Sequence, residues 1–96
     1  MLYLIYGEDR PDSEKLRAPH RAEHIRRREI LADAGRIVVS GPLTDNDGTK
    51  AYSGSCLVAE FPSYEAAEAW ALADPYVPAG VYERVVVKRI VKHFPK

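Results

Sequence analysis

Apolar residues run consecutively, rather than alternating with polar ones, in the segments of this sequence that most resemble β-strands. Residues 85–87 are three valines, residues 37–39 are Ile-Val-Val, and residues 1–6 are MLYLIY. Because successive side chains of a strand point to opposite faces of a sheet, such runs place apolar groups on both faces. A chain of 96 residues has room for one core. Its sheet therefore needs a cover on each face.

Strand patterns and helix patterns follow one another in a definite order. Strands are predicted at residues 1–6, 36–43, 55–61 and 81–94, and helices at residues 20–34 and 64–73. Pro19 is expected to interrupt a helical turn that begins at Asp12 or Ser13. Gly35 is expected to end the first helix and Ser63 to cap the second.

The order strand, helix, strand, strand, helix, strand predicts two split βαβ units with right-handed crossovers. The fold class is therefore α+β and ferredoxin-like, a four-stranded antiparallel sheet with two helices on one face, in one domain that spans residues 1–96. Two short helices cover one face only. A second copy of the sheet is the economical cover for the other, so we expect a homodimer with sheets packed face to face, a dimeric α+β barrel.

Charge and cysteine content exclude several classes of protein. The chain has 14 basic and 14 acidic side chains, which argues against bulk electrostatic binding of nucleic acid or of an anionic membrane. The single Cys56 rules out an internal disulfide. No signal-peptide pattern follows Met1, and no apolar run approaches the ~20 residues that span a bilayer. We expect a cytoplasmic protein that binds neither nucleic acid nor membrane.

Two residues carry the chemistry that the sequence suggests. His24 lies seven residues before Leu31, so on a helix the two side chains are about 20° apart around the axis. This places an imidazole on or beside the buried stripe, either as a core-edge histidine bonded to a backbone carbonyl or as a functional group. Asp74 directly precedes Pro75 at the end of a helix pattern. It either organises the turn through its own side chain or supplies a carboxylate to a site.

Other polar residues have simpler interpretations. The run of arginines at residues 26–28 is expected to form an exposed helix face, and Cys56 is expected to pack inside a strand. His20 and His24 have the i, i+4 spacing of metal ligands, but no HExxH motif or cysteine cluster accompanies them. Neither a phosphate-binding loop nor a dinucleotide fingerprint is present, so we expect no metal and no cofactor.

Five segments in order resemble the YciI-like family, and together they cover nearly the whole chain: MLYLIYGED at the start, RAEH at 21–24, AGRIVVSGPL at 34–43, YSGSCLVAEF at 52–61 and AWALADPYVPAGVYERVVVK at 69–88. The resemblance implies a ferredoxin-like fold that dimerises and a histidine–aspartate centre at His24 and Asp74. It implies substrate-binding residues at Arg21, Ser40, Gly41, Pro42, Ser55 and Tyr76. Some relatives act as dehalogenases or lyases on chlorinated lactones and on products of aromatic-ring degradation.

The resemblance favours a small cofactor-independent enzyme of lyase, dehalogenase or isomerase type. In it, Asp74 would orient His24 as a general acid or base that acts on a small organic substrate. The alternative is a non-catalytic dimer, a small-molecule-binding, regulatory or accessory protein in which the two residues form a structural pair. Since Asp74 follows one helix and His24 lies early in the other, their contact is expected to require either that the turn at 74–80 folds back or that the first helix is displaced.

Overall fold

The structure, a computed structural model, describes residues 1–49 and 52–96 of the chain. Its strands are β1 (Leu2–Asp9), β2 (Ile37–Leu43), β3 (Gly54–Glu60) and β4 (Tyr82–Ile90). Its helices are α1 (Glu14–Arg17), which continues into a 3-10 turn (Ala18–His20), then α2 (Arg21–Asp33) and α3 (Tyr64–Leu72). Within the described part of the chain, no helix has the length and apolarity needed to cross a bilayer.

The strands form one antiparallel sheet in the order β2-β3-β1-β4, which confirms the predicted ferredoxin-like α+β fold. One face of the sheet carries α2 and α3. The buried core lies between this sheet face and the two helices. Its members are Tyr3, Ile5, Leu31, Leu57, Ala59, Phe61, Ala67 and Ala71.

Three helix signals act as their sequence indicates. Pro19 lies in the 3-10 turn that separates α1 from α2. Gly35 follows α2 with a φ of 70°, a left-handed conformation that glycine adopts without steric cost. The Ser63 side chain accepts a hydrogen bond of 3.1 Å from the backbone N–H of Ala66 and so caps α3.

The two outer ends of the sheet differ from the predicted strand limits. β1 does not stop after residue 6 but continues through Asp9, because it is paired with β3 on one side and β4 on the other as far as Glu8. β4 ends at Ile90 rather than near residue 94, since Ile90 pairs with Leu2, the first residue of β1. Backbone pairing, which apolar patterns do not report, decides both limits.

The antiparallel sheet also decides where the helices meet. β1 and β3 run in opposite directions, so the helices that return from them, α2 and α3, also run in opposite directions. The start of α2 therefore lies beside the end of α3. Contact between His24 and Asp74 therefore needs neither a turn at 74–80 that folds back nor a displaced first helix, and the expectation that one of the two is required was wrong.

The sheet face that points away from the helices is apolar at its centre. We call it the open face, and its half-buried or exposed apolar members are Leu2, Leu4, Tyr6, Cys56, Val58, Val86 and Ile90. Charged residues lie at its margins: Lys88 is opposite Leu4 on the edge strand β4, and Arg84 contacts Glu8 at 3.0 Å near one end. The consecutive apolar residues of the sequence thus supply both sheet faces, as predicted.

The strands β1 and β3 approach each other closely at Gly7 and Gly54. A Cβ atom at Gly54 would overlap the carbonyl oxygen of Gly7, which is backbone and cannot move aside. At Gly41, by contrast, a Cβ atom would meet nothing within 4 Å. Gly54→Ala is expected to lower the free energy of unfolding by about 2–3 kcal/mol because of this overlap.

Urea denaturation of both variants measures this difference. Gly41→Ala, a substitution of the same kind in the neighbouring strand, should change the midpoint little. Equal stability of Gly54→Ala and Gly41→Ala would contradict the close approach of β1 and β3.

Candidate active site

A cavity of about 570 Å³ lies between α2 and the edge strand β2. This volume is within the range of small-molecule sites. One wall is largely apolar and is formed by Ile25, Ala32, Ile37, Val38, Val39 and Pro42. The remaining lining is polar or aromatic and includes Arg17, Arg21, His24, Arg28, Glu29, Ser40, Tyr52, Ser55 and Tyr76.

The cavity brings together the residues that the sequence singled out. Six of them were predicted to bind substrate, and all six contribute to its lining: Arg21, Ser40, Gly41, Pro42, Ser55 and Tyr76. His24 lines it as well, and Asp74 lies behind His24 as the buried partner of the imidazole. Their roles in binding and catalysis stay predictions at this point.

His24 and Asp74 are in direct contact. The imidazole Nδ1 lies 2.8 Å from Oδ2 and 3.0 Å from Oδ1 of the carboxylate, and both residues are buried. The sequence left open whether His24 bonds to a backbone carbonyl, and the structure gives it a carboxylate instead. His24 shares a buried stripe of α2 with Leu31, as their spacing predicted.

The surroundings of Asp74 determine which tautomer His24 adopts. Oδ1 accepts a hydrogen bond of 2.9 Å from the backbone N–H of Tyr76, and Oδ2 accepts one of 3.1 Å from Arg28. An ionised carboxylate only accepts, so Nδ1 carries the proton of the neutral ring. The other ring nitrogen, Nε2, has no hydrogen-bond partner within residues 1–49 and 52–96. It is therefore the nitrogen that can exchange a proton with a ligand.

Of the arginines at 26–28, Arg26 is exposed as the sequence suggested, but Arg27 and Arg28 are half-buried. Arg27 Nη2 donates to the carbonyl oxygen of Trp70 at 2.6 Å, and its guanidinium lies over the Trp70 ring. Arg28 bonds to Asp74, and its side chain is only 13% exposed. Because these arginines follow the buried stripe of α2, they clamp that helix onto the end of α3.

These neighbours shift the pKa values of the two groups in the same direction. Burial raises the pKa of Asp74, but the hydrogen bond from His24, the backbone N–H of Tyr76 and the charge of Arg28 outweigh burial and hold it below its usual value. Burial lowers the pKa of His24, and Arg28 lowers it further. Asp74 opposes both effects, and the net pKa of His24 lies below the ordinary value of 6.5. At neutral pH the pair is thus a carboxylate beside a neutral imidazole.

Tyr76 forms the floor beneath the imidazole. Its ring stacks on His24 with 3.9 Å between ring centroids and 11° between ring planes. The rings of Tyr76 and Tyr82 pack in a T-shaped arrangement, with 5.7 Å between centroids. This packing fixes the plane of the imidazole in addition to the hydrogen bond to Asp74.

A second buried ion pair, between Arg17 and Asp9, supports the far end of the cavity. The Arg17 Nε and Nη2 atoms donate to the two carboxylate oxygens of Asp9 at 2.7 and 3.0 Å. Arg17 Nη2 also lies 3.3 Å from Ser55 Oγ, which is 2.8 Å from the hydroxyl of Tyr82. Sequence reasoning missed this pair, because Asp9 lies beyond the apolar part of β1 and Arg17 lies in a helix of one turn.

Arg28 was also missed, although a signal for it exists. It follows His24 by four residues, the spacing that places two helical side chains on the same face. A search of the helix for charged residues at that spacing would have found it. For Arg17 and Tyr82 no comparable local signal exists, since their partners are distant in the sequence.

No metal site is evident among the described residues, which contain no group of three or more His, Cys, Asp or Glu side chains that could hold an ion. Cys56 is a half-buried free thiol on the open face of β3.

The chain is similar to known proteins over nearly its whole length. Residues 1–91 match the model of the YCII-related domain. The chain is 47% identical to Protein YciI of Escherichia coli O6:H1, and the match covers 98% of this chain and all of that protein. It is 37% identical, with the same coverage, to a protein of Haemophilus influenzae.

A solved structure provides a comparison of the fold. It is 5-chloro-2-hydroxyhydroquinone dehydrochlorinase (TftG) from Burkholderia phenoliruptrix AC1100 in complex with 2,5-dihydroxybenzoquinone. The TM-score is 0.79 at 33% sequence identity, over 95% of this chain and 94% of that one. On these matches in sequence and structure, the chain belongs to the family of YCII-related domain proteins.

Proposed function

We propose that this protein is a cofactor-independent enzyme in which His24 acts as a general acid or base and Asp74 orients it. The observation that carries the proposal is the geometry of the pair at the cavity wall. Nδ1 is held by the buried carboxylate, while Nε2 is left without a partner in the described part of the chain. Such an imidazole has one nitrogen fixed and the other free for proton transfer.

In the proposed reaction, Nε2 takes a proton from a substrate C–H or O–H bond. The electron pair of that bond forms a new double bond, and a leaving group departs with the pair of its own bond to carbon. Asp74 then lies against a positively charged imidazolium and stabilises it, and Tyr76 keeps the ring plane in place. The ring later returns its proton to solvent or to the leaving group.

Elimination of chloride is the version of this reaction with the most direct support. The name of the TftG neighbour states that it is a dehydrochlorinase, and it shares this fold at 33% identity. We therefore propose that the present chain removes a leaving group such as chloride from a small unsaturated ring compound. A cytoplasmic location stays a prediction from the sequence.

We also propose that the protein works as a homodimer through its open face. Its centre is apolar over neighbouring strands, and exposed apolar patches of this kind mark protein interfaces. The charged residues at its ends and on the edge strand β4 would form the rim.

Replacement of the imidazole tests the proposed catalysis. His24→Gln is expected to lower the rate of chloride release from 5-chloro-2-hydroxyhydroquinone by ~10²–10⁴-fold, the usual contribution of a positioned base. His93→Gln, a matched change at an exposed histidine, should leave the rate unchanged. A fully active His24→Gln variant would contradict the proposal. Binding of the compound without any release of chloride by the wild type would favour a non-catalytic binding protein.

The pH profile tests how Asp74 acts on His24. The neutral ring is the base, and its pKa lies below 6.5, so kcat/KM should rise along an acid limb with a midpoint below pH 6.5 and stay level through neutrality. Asp74→Asn removes the charge that raises the pKa of His24, so the midpoint should move to still lower pH. NMR titration of the His24 ring measures the same shift without substrate.

Asp33→Asn, at the exposed end of α2, is the matched control and should move neither midpoint. A wild-type limb at or above pH 6.5, or a His24 titration that does not respond to Asp74→Asn, would remove Asp74 from the proposed centre.

The dimer is tested at the middle of the open face. Light scattering of the wild type at micromolar concentration should give about twice the 10.8 kDa chain mass. Val58→Glu places a charge on β3 between two apolar cross-strand neighbours of that face and should give the monomer mass, because burial of an unpaired charge is costly. Leu72→Glu alters an equally apolar but exposed residue of α3 and should stay dimeric. A wild type with the mass of one chain would defeat the proposal.

A further inference from the structure

The carboxylate oxygen that binds His24 also binds Arg28. Oδ2 of Asp74 lies 2.8 Å from Nδ1 of His24 and 3.1 Å from Nη1 of Arg28. The two nitrogens are themselves 3.3 Å apart. Both of them donate to Oδ2, because Nδ1 carries the proton of the neutral ring and a guanidinium can only donate. Their mutual contact is therefore an approach of two donors to one acceptor, not a hydrogen bond.

This arrangement places a fixed positive charge next to a ring that gains a positive charge in the proposed reaction. On protonation of His24, Nδ1 would lie 2.8 Å from the anion Asp74 and 3.3 Å from the cation Arg28. Because Coulomb energy falls only inversely with distance, repulsion by the cation offsets much of the attraction to the anion. Burial, the largest influence on the pKa of His24, then favours the neutral ring.

The other charged and titratable groups around the pair do not reverse this balance. They are Arg17 from α1, Arg27 from α2, Tyr76 from the turn after α3 and Tyr82 from β4. The charge of Arg17 lowers the pKa of His24, as that of Arg28 does. Burial raises the pKa values of both tyrosines, so neither is an anion at neutral pH. Among the described residues, Asp74 is therefore the anion that bonds to the ring.

Arg28 is not needed to hold α2 against α3. Arg27 already connects the two helices, since its Nη2 donates to the carbonyl oxygen of Trp70 at 2.6 Å and its guanidinium lies 4.3 Å from the centre of that ring. The guanidinium of Arg28 is farther from the ring, at 5.2 Å, and its hydrogen bond goes to the carboxylate of Asp74. The position of Arg28 thus favours a role at the His24–Asp74 pair.

We propose that Arg28 is a positioning residue of the site, which shares Oδ2 of Asp74 with His24 and thereby keeps the imidazole uncharged and ready to accept a proton. Arg28 acts through His24 and needs no contact with a substrate. Its effect is opposite in sign to that of Asp74, because a neighbouring cation disfavours the imidazolium and a neighbouring anion favours it. The control of protonation rests on the geometry of the three side chains, whereas its use in turnover rests on the proposed role of His24 as base.

NMR titration of the His24 ring tests the control of protonation without any substrate. Arg28→Gln removes the charge but keeps an amide N–H group that can donate, and it should raise the pKa of His24 by about one unit. Arg28→Lys keeps the charge and should leave that pKa close to the wild-type value. Arg26→Gln, the same change at an exposed arginine of α2, is the matched control and should not move it.

Two results of the titration would overturn the inference. One is a pKa of His24 that stays the same or falls in Arg28→Gln. The other is a wild-type pKa of His24 above 6.5, which needs no variant and so does not depend on how well a variant folds.

The pH dependence of chloride release from 5-chloro-2-hydroxyhydroquinone tests whether the reaction uses this control. A raised pKa of His24 leaves fewer neutral rings on the acid side only. At pH values below both midpoints, kcat/KM of Arg28→Gln should be about tenfold lower than that of the wild type, and the difference should disappear as the pH rises well above 6.5. Structural damage alone would lower kcat/KM at every pH, and that result would overturn the assignment of Arg28 to the reaction.

Titration and turnover together separate this inference from the proposed function. A raised pKa of His24 in Arg28→Gln, with an acid limb displaced by the same amount, supports both. A raised pKa of His24 in Arg28→Gln, with full chloride release by His24→Gln, would support the control of protonation by Arg28 and reject His24 as the base.

Discussion

The buried carboxylate of Asp74 is the group on which the geometry of the site depends. A carboxylate that is removed from water is stable only if charged or polar donors replace its hydration. Asp74 obtains these donors from two elements, since His24 and Arg28 belong to α2 and the Tyr76 N–H belongs to the turn after α3. The need of this carboxylate for donors therefore connects the start of α2 to the turn that follows α3. It also places the imidazole at the cavity wall.

The same contacts decide the protonation of His24. Asp74 by itself would raise the pKa of the ring, and a raised pKa would favour the imidazolium at neutral pH. Burial and the charge of Arg28 act in the opposite direction and prevail. Arg28 and the imidazole thus both bond to the carboxylate of Asp74. The imidazole stays neutral, and its hydrogen bond to Asp74 fixes its orientation. A base with these properties can accept a proton and still find a carboxylate beside the charge that it gains.

Local sequence patterns were sufficient for the fold and for part of the site. The spacing of His24 and Leu31 located the buried side of α2, and the order of elements gave the antiparallel sheet. That order also implies antiparallel helices, so the proximity of His24 to Asp74 could have been derived from it. Arg17 could not, because its partner Asp9 lies in a polar extension of β1 that only strand pairing reveals. The size of the cavity depends on how far α2 stands from β2, a tertiary distance without a local signal.

The two buried carboxylates hold the ends of the cavity in complementary ways. Asp74 leaves an acceptor, Nε2 of His24, facing the cavity, whereas Asp9 anchors the cation Arg17, which donates to Ser55 Oγ. Each anchor is satisfied within the protein, so neither needs a ligand to stay in place. Groups fixed in this manner do not have to reorganise when charge develops on a bound molecule, which is the condition for effective electrostatic stabilisation.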